Sequence, residues 1–184
     1  MKLTQLASIS SGINERRNPQ GTVFYLGGSD FVQTHQLNPL LKPSVVMSSK
    51  LQKHFLNKGD VLVLAKGHNG FSAHCYKGIK QPAVASSIFM VLRYTNPIVL
   101  PEYLAWYINL KSTQEVLINN SRGSSLPAIN KKILGDLDVG LTDLENQKRI
   151  VALDALKNQE QELMMKLQNL RTIKLEYLLK SKIQ

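Results

Sequence analysis

From Thr142 to Gln184 the chain has neither proline nor glycine, and its apolar residues recur at helical spacing. Leu153, Leu156, Leu163, Leu167, Leu170 and Leu178 are separated by steps built from threes and fours, which puts them on one stripe of a helix. About 40 residues at ~1.5 Å each make a rod of roughly 60 Å, longer than a small domain is wide. Such a stripe cannot stay wet. It must pack on the globular part, on a second copy, or on another protein. Thr142-Asp143-Leu144-Glu145 has the capping-box form, so the helix is expected to open with Thr142 as its cap.

With 184 residues, the chain has room for one globular unit before this rod. We therefore expect a domain over residues 1–142 and a long helix over 143–184. The net charge of +10 is unevenly spread. Residues 1–142 carry 15 Lys/Arg against 7 Asp/Glu, whereas 143–184 carry 8 against 6. The basic excess thus belongs to the globular part, and an excess of +8 there makes a polyanion the first partner to consider. A single cysteine, Cys75, excludes an internal disulfide and a multi-cysteine zinc site. The start of the chain has no signal-peptide pattern, and no apolar run approaches the ~18 residues of a membrane span. A soluble, cytoplasmic protein is expected.

Along the globular part, apolar runs at Val23–Leu26 and Val45–Met47 read as short strands. Asn57-Lys58-Gly59-Asp60 is a turn leading into the branched run Val61–Ala65, a buried strand. After the turn Lys66–Gly70, residues Phe71–Tyr76 should pair back as a hairpin. Ala83–Arg93 reads as one longer strand, and Pro101 opens a helix. A short helix over Thr113–Ile118, a helical turn at Lys131–Leu134 and a last strand over Leu137–Leu141 complete the series. Short strands with basic loops, then helices, make this an α+β fold: a small mixed or antiparallel β-rich domain followed by one coiled-coil-like helix.

Catalytic signatures are absent. His74 and Cys75 are strand neighbours that point to opposite faces, so they do not make a nucleophile and its base. The histidines His35, His54, His68 and His74 show no helical pairing with a carboxylate, so no metal site and no cofactor is expected; they read as loop histidines near a polyanion. No phosphate-binding loop and no glycine-rich dinucleotide motif is present. Binding chemistry is richer. Arg16, Arg17, Lys42, Lys50, Lys53, Lys58, Lys66, Lys77 and Lys80 are interleaved with Asn14, Asn18, Gln20, Gln33, Gln36 and Asn69. Cations suit phosphates, and amides can read adenine edges.

The order of segments resembles the target-recognition domain of the specificity (S) subunits of type I restriction–modification systems. Lys58-Gly59-Asp60-Val61-Leu62 is similar to the family's Gly-Asp-Ile-Leu turn and strand, and Ser86–Arg93 to its central strand. Pro101-Glu102-Tyr103-Leu104 matches its helix opening, Gly123–Asn130 its Gly-Ser…Pro…Asn loop, and Glu145–Val151 its Glu-x-Gln-x-x-Ile-Val helix start. The proline usual before that helix is replaced by Gly140-Leu141-Thr142. The resemblance implies a subunit without catalytic residues that reads double-stranded DNA and directs methyltransferase (M) subunits and, through them, the restriction (R) subunit. Such subunits carry two recognition domains, and this chain has one. We therefore expect a homodimer, paired antiparallel through the leucine stripe, that binds an interrupted palindrome. The rod would also dock the M subunits. Phosphate contacts are expected from Arg16, Arg17, Lys50, Lys53, Lys58, Lys66 and Lys77, with Arg122 and Lys131 beside the Gly-Ser loop and base reading by His68 and Asn69. The rival reading is a non-enzymatic interaction subunit whose rod and basic face bind acidic protein instead of DNA.

Overall fold

The computed structural model describes residues 1–31, 37–68, 70–123 and 125–183. Four strands form an antiparallel sheet in the order β1 (Ala7–Ser11), β6 (Phe89–Tyr94), β3 (Val61–Leu64), β4 (Ala73–Cys75). A second sheet pairs β2 (Phe24–Leu26) with β5 (Ala83–Ala85) in parallel. The helices are α1 (Ser49–Gln52), α2 (Pro101–Asn109), α3 (Lys111–Asn119), α4 (Lys131–Gly135) and α5 (Leu144–Lys180).

The strand alternation explains the layering. Val61, Val63, Met90 and Leu92 face one way, into a core completed by Leu104 and Ile108 of α2 together with Leu3 and Leu6. Leu62, Phe89 and Val91 face the other way, against Leu26, Ala83 and Ala85 of the small sheet. Strands covered on both sides need continuous apolar sequence, which is what Val61–Leu64 and Phe89–Leu92 provide. The α+β architecture and the hairpin from Val61 to Cys75 agree with the sequence reading.

Several expectations fail. Ala83–Arg93 is two strands, not one: the chain turns at Ser86–Ile88, and β5 and β6 join different sheets. No glycine or proline marks that turn. Its partner does, since a Cβ on Gly12 would lie 2.1 Å from the Ser86 carbonyl oxygen. Val45–Met47 and Leu137–Leu141 form only isolated bridges, Val23 with Val45 and Lys2 with Asp138. The long helix starts one residue late. Asp143, not Thr142, is the cap, its Oδ1 accepting the Asn146 N–H at 2.9 Å.

A buried glutamine anchors the first turn of this helix. Gln147 is 0% exposed. Its Oε1 accepts the Leu100 N–H (2.9 Å), and its Nε2 donates to the carbonyls of Ile98 and Thr142 (2.8 Å each). The root of α5 is thereby fixed to the segment entering α2, and Ile150 and Val151 pack on the same core. Beyond Asn158 the helix is largely exposed.

Candidate nucleic-acid interface

Most motif residues turn out to build the frame. Asp60, 1% exposed, receives Arg93 through Nε (2.9 Å) and Nη2 (2.7 Å), and it also accepts the Asn57 N–H at 2.8 Å. The hydrogen bond to Asp60 raises the Arg93 guanidinium above its ordinary value. Tyr103 donates its hydroxyl to the Gly140 carbonyl (2.7 Å), bracing the chain just before α5; burial raises its phenol pKa. The recurrent turns and helix starts therefore hold a scaffold, on which loops of other sequence are displayed.

Two of those loops meet. Ala65 donates to the Ile88 carbonyl (2.7 Å) and accepts from the Ile129 N–H (2.9 Å). The Gly67 N–H donates to the Pro127 carbonyl (3.2 Å). Lys66 and Arg122 both form β-bridges with Ala128, one on each side, so their backbones lie about 10 Å apart, two strand spacings. Gly123 closes this second loop with φ +93°, and a Cβ there would meet the Leu126 carbonyl oxygen at 2.8 Å. The hairpin tip thus sits on the Gly-Ser loop, and Lys66, His68 and Arg122 are all exposed. Lys131, also exposed, opens α4 two residues after Ile129. The loop of Gly27 and Gly28 borders the tip, because Leu64 stands between Gly28 and Gly67.

The other predicted contacts separate from this cluster. Lys77 lies at the opposite end of the hairpin, in a crevice of about 160 Å³ with Glu102, Trp106 and Asp154, where α2 meets α5. Lys58 is at that end too, its side chain against Gly78. Arg17 is partly committed to the fold. It reaches Asp30 (3.2 Å), the Tyr25 carbonyl (3.4 Å) and Ser44 Oγ (3.5 Å), with its guanidinium 5.5 Å from the Tyr25 ring centre. Arg16 is exposed beside a groove of about 410 Å³ that includes Asn18 and Val46. Lys50 and Lys53 are exposed on and just after α1. The contacts assigned to Asn69, and the amides of Gln33 and Gln36, lie outside the described residues, as does His35.

His74 is not a loop histidine. It is buried in β4, its ring stacked on Phe31 at 4.0 Å and edge-on to Phe89. Cys75 faces the opposite core, as strand alternation requires, and burial pushes its thiol up to about 12. Among the described residues no group of three His, Cys, Asp or Glu side chains could hold a metal ion.

The rod presents two faces. At about 100° per residue, Gln147, Ile150, Val151, Asp154 and Asn158 occupy one arc, and the predicted leucines occupy an arc nearly opposite. Leu153, Leu156 and Leu170 are 67, 62 and 63% exposed, and Leu163, Leu167 and Leu178 are 58, 44 and 49% exposed. The stripe therefore does not pack on its own domain. No described helix is long and apolar enough to cross a membrane.

Residues 7–170 match the model of the type I restriction modification DNA specificity domain, and the chain belongs to that family. It is similar to the MjaVIII type I restriction enzyme specificity subunit of Methanocaldococcus jannaschii, with 30% identity over 98 residues, 53% of this chain and 22% of that one. The fold is shared with a chain solved in work on complex assembly and conformational transition of a type I R-M system. That chain has a TM-score of 0.71 and 19% identity, with 97% of this chain covered and 42% of the other. The HsdS subunit of Thermoanaerobacter tengcongensis (TM-score 0.59, 21% identity, 88 and 37% covered) and the S subunit from M. genitalium (0.60, 15%, 91 and 40%) have the same fold. The chain thus spans less than half the length of each of these relatives.

Proposed function

We propose that this chain reads a half-site of duplex DNA through the hairpin tip and the adjoining loops, as the specificity component of a type I restriction–modification assembly. The observation that carries this reading is the docking of the tip on the Gly-Ser loop, which sets Lys66, His68 and Arg122 together on one exposed rim. Lys66, Arg122, Lys131 and Arg16 contact phosphates, and His68 contacts a base edge. Residues 1–142 act as the reading domain and 143–184 as the helix that spaces and docks it. The uncovered leucine face pairs with the rod of a second copy, giving a homodimer for a two-fold DNA site, and offers docking to M subunits, which bring the R subunit. A cytoplasmic location follows from that role.

Two measurements test this. Anisotropy titrations of labelled duplex should give affinities that fall steeply and log-linearly with salt; salt-insensitive or absent binding refutes the DNA reading. Light scattering at micromolar concentration should give a dimer that Leu167→Glu converts to monomer. A monomeric wild-type chain refutes the pairing.

A further inference from the structure

The outward edge of the hairpin's second strand is held by two side-chain amides. Asn109, the last residue of α2, accepts the Ala73 N–H through Oδ1 and donates to the Ala73 carbonyl through Nδ2, both at 2.8 Å. Gln114, on α3, does the same two residues nearer the tip. It accepts the Phe71 N–H at 2.8 Å and donates to the Phe71 carbonyl at 3.2 Å. The same Gln114 nitrogen also donates to the Ile108 carbonyl at 2.7 Å, which fixes its amide plane from the α2 side. Positions i and i+2 of a strand present their peptide groups to the same edge, so the two amides act as a short substitute strand. Gly70 fits the same arrangement. Its φ is +90°, and a Cβ there would lie 2.7 Å from Gln114 Oε1. On its other side the tip rests on Ala65–Ile129 and Gly67–Pro127. The loop that displays Lys66 and His68 is thus gripped at both ends, and one grip consists of side chains committed to backbone groups.

We infer that Gln114, with Asn109, is a positioning residue for sequence discrimination: it sets the height of Lys66 and His68 over the Gly-Ser loop without touching DNA. This rests on the DNA-reading proposal above. Phosphate attraction depends on charge and tolerates small displacements, since screened charges interact over about 8–10 Å. Hydrogen bonds to base edges lose most of their strength within a few tenths of an ångström and a few tens of degrees. Removing the grip should therefore degrade base reading while sparing non-specific binding.

The test uses the full chain and a random-sequence duplex library. Wild type, Gln114→Met and Gly70→Ala are each carried through selection, followed by titration of the enriched duplex and of a scrambled one. Gln114→Met keeps length and helix propensity but loses the amide. Gly70→Ala keeps the Gln114 side chain but pushes it out of position. Thermal melting confirms that both variants fold. The expected result is about a 10-fold loss of affinity for the enriched duplex in both variants, the scale of one base contact. Affinity for the scrambled duplex and its salt slope should stay within about 2-fold. Discrimination equal to wild type in a folded Gln114→Met, or an equal loss on both duplexes, overturns the positioning role and leaves DNA reading standing. A wild-type chain that enriches no motif overturns both.

Discussion

Replacing Gln147 by alanine removes three hydrogen bonds at the root of the rod: one to the Leu100 N–H and two to the Ile98 and Thr142 carbonyls. Each such bond has a net worth of about 1 kcal/mol, so their sum is about 3 kcal/mol. Water entering the vacated space lowers the cost; groups that stay dry and unpaired raise it toward 1–3 kcal/mol each. Gln147→Leu, which fills the space without polar atoms, should be no better than alanine. The protein supplies its own reporter, because its one tryptophan, Trp106, lines the crevice between α2 and α5 beside Val151 and Ala155. Urea titrations followed by Trp106 fluorescence should show a midpoint lowered by the equivalent of about 3 kcal/mol. For a chain of this size a thermal shift of roughly 6–12 °C follows. If α5 detaches before the domain unfolds, the Trp106 emission shifts at lower urea than the helical circular dichroism. A leucine variant within about 0.5 kcal/mol of wild type, with unchanged emission, would refute the claim that satisfied polar groups fix the rod root.

Asp60→Ala leaves Arg93 without its buried partner. It should cost about 2–4 kcal/mol in urea unfolding, less than a fully buried pair because the Arg93 side chain is 44% exposed. Lys66→Ala should lower the salt slope of DNA binding by about one counterion, whereas Lys77→Ala, at the α2–α5 crevice, should leave it unchanged; equal effects would contradict the split between the two ends of the hairpin. Cys75, its thiol pushed up to about 12 from 9.0, should resist alkylation at pH 8 until the chain is unfolded. The folded chain holds that proton more tightly, so the thiol's contribution to stability is complete below pH 9 and declines from pH 9 toward 12, which melting curves across that range would show. Asp138 is held low by Lys2, and Asp143 by the Asn146 N–H that it caps. Their stabilisation is present above about pH 4 and is lost in more acid solution, where Asn at either position should flatten the acid branch of the melting profile.

The elements most legible in sequence were those whose signals are local. The Gly59-Asp60 turn, the branched run Val61–Leu64 and the proline-opened α2 each specify their own conformation. What escaped was set by distant partners. Gly12 packs closely against the Ser86 carbonyl where β5 ends, and among the described residues Asp138 pairs through one bridge to Lys2. Both Thr142 and Asp143 can cap a helix, and local sequence does not choose between them. The sequence shows which cations a site could use but not where they lie. Composition pooled Lys66 with Lys77 because both flank one hairpin, and only the direction of the strands separates them. Arg17 reads as a phosphate contact because the sequence does not show that Asp30 and Tyr25 lie under it. The two amides behind the tip left one sequence signal, Gly70, which marks a turn but does not name what crowds it.

The two amides on β4 also bear on how larger structures can form. A sheet ordinarily grows at its margins, where unpaired peptide groups accept a further strand from another chain. At Phe71 and Ala73 that margin is already occupied by atoms of the same molecule, carried on α2 and α3. Along this border the domain is closed to strand exchange and to fibrous stacking.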